Sequence, residues 1–60
     1  MLITTANLPD PDAAYAALLV AHKGLTEAES HALNARLVLI LMNHIGVPEV
    51  LQQALDLARR

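Results

Sequence analysis

Three histidines, an arginine far from either end of the chain and the two asparagines that flank it are the residues here that could do chemistry. Glu27 and His31 stand four apart, a helical spacing that sets both on one face and suits a metal chelate. Two ligands do not complete a site, and no HExxH or comparable pattern supplies the rest. A surface pair is the reading this spacing favours. A metal site would have to be assembled across a dimer from His22, His31 and His44 with nearby carboxylates, so no metal or other cofactor is expected within the chain. Arg36 stands mid-helix just before the apolar run Leu37–Met42, where its planar fork suits a carboxylate such as Glu29, a partner chain's acid or an anionic ligand. With Asn43 and His44 it makes a candidate binding set for a small organic acid. Catalytic residues are not expected. Ser30 has no glycine-rich elbow, no phosphate-cradling loop exists, and Asp10, Asp12, Glu27 and Glu29 lie at helix starts, where the dipole accounts for them.

The elements that must position these residues are helical. The chain is 55% hydrophobic with a single aromatic residue, Tyr15, so its apolar mass is mainly leucine and alanine, which favours helix over sheet. Asp10-Pro11 reads as an N-cap followed by proline at the first helical position. Gly24 is a stop. Thr26 with Glu29 three residues on matches a capping box. Gly46 ends the second helix, and Pro48 opens the third. The expectation is an all-α domain of three helices over 10–23, 26–45 and 47–60, with residues 1–9 as an extended tail whose Leu2, Ile3 and Leu8 can lie over a groove.

Sixty residues make one small domain, and a chain of that size buries only about 60% of its unfolded surface. There is no cysteine to staple it. The net charge of −2 gives no basic field for nucleic acid. The longest apolar run has six residues, Leu37 to Met42, against about 20 needed to span a bilayer, and no signal-like leader opens the sequence. A cytoplasmic protein without nucleic-acid or membrane partners is expected.

Helix 2 is more apolar than a surface helix requires. At 100° per residue one stripe holds Leu33, Leu37, Ile40 and His44, with Leu41 beside it; Ala35, Val38, Met42 and Ile45 lie roughly opposite. Glu29, Arg36 and Asn43 mark the narrow polar strip. The other helices show one obvious stripe each: Tyr15, Leu18, Leu19 and His22 in the first, Leu51, Ala54, Leu55 and Ala58 in the third. Two slim neighbours can cover both stripes of helix 2 in a monomer. The favoured reading is that the Ala35–Val38–Met42–Ile45 stripe is an interface that meets its copy in a homodimer, since an uncovered stripe of that size is unusual on a monomer. Asn34 and Asn43 are candidates for polar groups that fix helix register.

The segments "PDPDAAYAALLVAHKGLT" and "SHALNARLVLILMNHIG" resemble a family of short bacterial proteins known only as a domain of unknown function. The likeness runs from about Asn7 to Ala58, and its most specific positions are His22, Gly24, Leu25, Asn34, Arg36, Asn43, His44 and Gly46. It assigns no catalytic residue. It implies a setting near flavin-dependent oxygenases of aromatic-compound breakdown, and so an accessory role. Three functions follow as expectations. The first is a non-catalytic helical interaction protein, homodimer or stabilising subunit of a larger enzyme. The second is an organic-acid binding module using Arg36, Asn43 and His44. The third, ranked last, is a metal-dependent enzyme formed across a dimer.

Overall fold

The computed structural model describes all 60 residues. It contains three α-helices and no strand: α1 (Pro11–His22), α2 (Glu27–Ile45) and α3 (Pro48–Ala58). The all-α class expected from composition is what the chain adopts.

Local chemistry sets each boundary. The Ala13 N–H donates to Asp10 Oδ1 at 3.0 Å, and Pro11 opens α1 where a missing N–H leaves nothing unsatisfied. Thr26 and Glu29 form a complete capping box. The Glu29 N–H donates to Thr26 Oγ1 at 3.2 Å, and the Thr26 N–H donates to Glu29 Oε1 at 2.9 Å. Gly46 stops α2 in the left-handed conformation at φ 68°, with its N–H returned to the Met42 carbonyl. The third helix starts on Pro48 without a side-chain cap and stops at Ala58, short of the expected run to the terminus. The Arg59 and Arg60 N–H groups close the last turn by donating to the Leu55 and Leu57 carbonyls.

The tail is tied to the opposite end of the sequence. The Leu2 N–H donates to Gln53 Oε1 at 2.8 Å and Leu2 is half-buried against α3, while Ile3 and Leu8 remain exposed. The backbone thus closes a loop of nearly the whole chain with one hydrogen bond.

What the fold lacks is an interior. No residue is buried; Leu33, Leu37, Met42, Val50, Leu51 and Ala54 are among the few that reach an intermediate level. The radius of gyration is 13.1 Å, against about 10 Å for a compact domain of this length. The accessible surface is 5365 Å², whereas a compact monomer of the same mass exposes roughly 3,800 Å². Leu39, Ile40, Val38 and Leu41 all stand substantially in solvent. Helices α1 and α2 are well capped, and all three helices are poorly covered.

Candidate functional site

Two apolar grooves run along α2, one on each flank, and every chemical residue of the chain can be placed relative to them. The first, about 550 Å³, lies between α1 and α2. From α1 it takes Ala14, Ala17, Leu18 and Ala21; from α2 it takes Leu33, Leu37, Ile40 and Arg36. Of the stripe read from the sequence, Leu18 lines the α1 wall and His22 reaches α2 by hydrogen bonds, whereas Tyr15 and Leu19 do not. Tyr15 and Leu19 face away and are more than half exposed, and it is the alanine face of α1 that turns to α2. Alanine side chains are too short to fill the space opposite three leucine- or isoleucine-sized residues, so a furrow is left where a core would otherwise close.

The second groove, about 280 Å³, lies between α2 and α3 and is wholly hydrophobic. Val38, Leu41, Met42 and Ile45 form its α2 wall; Leu51, Ala54, Leu55 and Ala58 form the other. The second stripe of α2 therefore looks toward α3 at Val38, Met42 and Ile45. Ala35 lines neither groove. The stripe is faced without being covered, since Val38 is 51% exposed and Ile45 45%.

Arg36 is the only polar residue in the wall of the first groove. Its guanidinium has no carboxylate within ion-pair distance; the one such contact in the chain is between His31 Nε2 and Glu27 Oε1 at 3.5 Å, and it is an ion pair only when His31 is protonated. Glu29, the acid that the sequence offers to Arg36, is committed to the Thr26 cap. That commitment holds the Glu29 carboxyl below its ordinary pKa. The Thr26 backbone N–H contributes most, then the Thr26 hydroxyl, against a small opposing effect of desolvation. Asn43 and His44 do not join Arg36. Both are exposed, their side chains make no hydrogen bond, and neither lines a groove, so the three-residue acid site expected from sequence reduces to Arg36 alone.

The constellation that sequence spacing did not reveal is a clasp between α1 and α2. His22 Nδ1 lies 2.9 Å from Ser30 Oγ, and His22 Nε2 lies 3.1 Å from Asn34 Oδ1. An amide oxygen only accepts, so Nε2 carries the proton and donates to Asn34. In the tautomer with a single proton on Nε2, Nδ1 accepts from the Ser30 hydroxyl. Serine, imidazole and amide are linked in the order familiar from nucleophilic hydrolases; the two bonds fasten α1 to α2, and Ser30 lines none of the grooves. The signal that could have exposed it is modest: Ser30 and Asn34 are one helical turn apart, and His22 ends the helix that must fold back on them. With His22 engaged here and His31 paired with Glu27, the three histidines are not gathered in one chain, and no group of three metal-ligating side chains occurs. No helix is long and apolar enough to cross a membrane.

A comparison with family models places residues 2–60 in the family described as "Protein of unknown function (DUF2783)". The match spans almost the entire chain, and the protein belongs to this family. No curated protein and no solved structure matches it.

Proposed function

We propose that this member of the family is a non-catalytic helical interaction protein whose α2 grooves are completed by another polypeptide, either a second copy or the larger enzyme that it accompanies. The observation that carries the reading is the missing interior. The chain exposes about 1,500 Å² more than a compact monomer of its mass would. A standard interface removes only about 800 Å² from each partner, and obligate ones remove more. The excess therefore matches one chain's share of an obligate interface. The starts of α1 and α2 carry side-chain caps while packing is absent, so these helices are specified locally and completed from outside. The flavin-dependent oxygenase setting suggested by the family likeness supplies one candidate for the larger enzyme.

The experiment is light scattering over a concentration series, joined to thermal melting at each concentration. An associating chain gains mass and melts at higher temperature as concentration rises. A monomer with a sharp, concentration-independent transition would defeat the proposal.

A second reading rests on Arg36. A free guanidinium at the rim of an otherwise apolar groove suits an amphiphilic organic acid, with the carboxylate on Arg36 and its apolar body between α1 and α2. Thermal shift with a panel of aromatic acids tests it. Stabilisation that is abolished in Arg36→Ala supports the reading, and shifts that persist unchanged in that variant dismiss it.

A further inference from the structure

We propose that the ligand of the α1–α2 groove is a medium-length aliphatic carboxylate, its head on Arg36 and its tail laid between the alanines of α1 and the leucines of α2. The inference rests on the acid-binding reading above and names the chemical class of the acid.

The head follows from charge. Arg36 is the one polar residue among the eight that line the groove, and no carboxylate lies within ion-pair distance of it. Glu29, two turns earlier on the same flank of α2, is held in the Thr26 cap. A planar guanidinium offers a carboxylate two parallel hydrogen bonds, which a neutral head group cannot match. Helical side chains lean toward the start of their helix. The head therefore belongs at the Leu33 end, which leaves Leu37, Ile40, Leu18 and Ala14 for the tail.

The tail follows from the walls. Apart from Arg36 they are wholly aliphatic; the single aromatic ring of the chain, Tyr15, is 63% exposed and does not line them. An aromatic ligand finds none of the ring–ring contacts that would add to its burial. Each wall spans two helical turns, from Ala14 to Ala21 and from Leu33 to Ile40, or about 10 Å. Spread over that length, the 550 Å³ of the groove gives a mean cross-section of about 50 Å², against roughly 80 Å² for a helix 10 Å across. An alkyl chain enters such a furrow along its whole length, whereas a helix rests on the rim. The alkyl chain also restores contacts that the short alanines leave unmade opposite Leu33, Leu37 and Ile40.

The test is isothermal titration of the full chain with hexanoate, octanoate and decanoate below their micellar concentrations, with 2-naphthoate as the aromatic comparison. Affinity should rise about twofold per added methylene, below the roughly fourfold of complete burial because the groove is open to solvent. Arg36→Gln should weaken decanoate about tenfold and leave the gain per methylene unchanged. Ala17→Leu fills the furrow from the α1 wall; it should weaken decanoate at least tenfold and raise the melting temperature of the free chain. Ala54→Leu, the same change in the α2–α3 groove, should leave decanoate affinity as it is. Where Ala17→Leu does not fold, the methylene series and Arg36→Gln decide alone. Decanoate binding that neither Arg36→Gln nor Ala17→Leu alters lies elsewhere and overturns the inference. Tighter, Arg36-dependent binding of 2-naphthoate overturns the aliphatic class and leaves the acid reading intact. No binding of any of these acids defeats both and leaves the groove to a polypeptide.

Discussion

His22 Nδ1 and Ser30 Oγ approach to 2.9 Å and fasten the last turn of α1 to the first turns of α2. The same imidazole reaches Asn34 on its other edge, so a single side chain spans the α1–α2 junction where the alanine face of α1 leaves apolar packing thin. A polar clasp in a partly solvated position is worth less than a buried one, but here little else competes for the task.

Replacing His22 by alanine should therefore release α1 selectively. Loss of the two bonds costs about 1 kcal/mol after water competes for the partners, which corresponds to roughly 4–8 °C in melting temperature for a domain of this size. Amide exchange is the sharper measurement. Protection should fall across α1 and survive in the middle of α2; uniform loss through all three helices would show that His22 holds more than this junction.

The capping box predicts an acid-side weakness. The Glu29 carboxyl is held below its ordinary pKa by the Thr26 N–H and hydroxyl, so its contribution is complete above the unfolded-state value and is lost as pH falls through the depressed folded value. Helicity followed by circular dichroism should decline over that acid window. Glu29→Ala should be less stable at neutral pH and show a flatter acid limb. In a separate measurement Thr26→Ala should cost about 1 kcal/mol at neutral pH, the usual value of an N-cap hydroxyl.

Gly46 tests backbone conformation apart from space. A Cβ built there meets only the Asn43 carbonyl oxygen at 3.6 Å, an ordinary contact, yet φ is +68°. Gly46→Ala should cost about 1 kcal/mol through the left-handed backbone alone. Gly46→Asn should cost less, because asparagine tolerates that region. Equal denaturation midpoints for the two variants would place the cost elsewhere.

Val38→Asp separates a covered groove from an open one. Val38 is 51% exposed in the single chain, so an aspartate there is nearly harmless to a chain that works alone. If another polypeptide covers the groove, the same change buries an unpaired charge and removes the assembly at micromolar concentration or unfolds it. Mass by light scattering and helicity, measured on one sample, distinguish the outcomes.

The helices were legible because each is set within a few residues of sequence. Asp10-Pro11, the Thr26–Glu29 box, Gly46 and Pro48 act through bonds or torsions spanning at most four positions, and leucine and alanine supply the propensity between them. The surplus of apolar surface on α2 was equally legible, since a 3.6-residue period places side chains around a helix without reference to any neighbour. Only the tertiary structure decided which way the neighbours turn. It put the alanines of α1 inward in place of Tyr15 and Leu19, set Val38, Met42 and Ile45 toward α3, left Arg36 without an acid, and separated it from Asn43 and His44. It also gathered His22, Ser30 and Asn34 from two helices. Those outcomes depend on the crossing of whole helices and on the two short connections between them. A helical period fixes the angle of a residue about its own axis and carries no information on where the next axis lies.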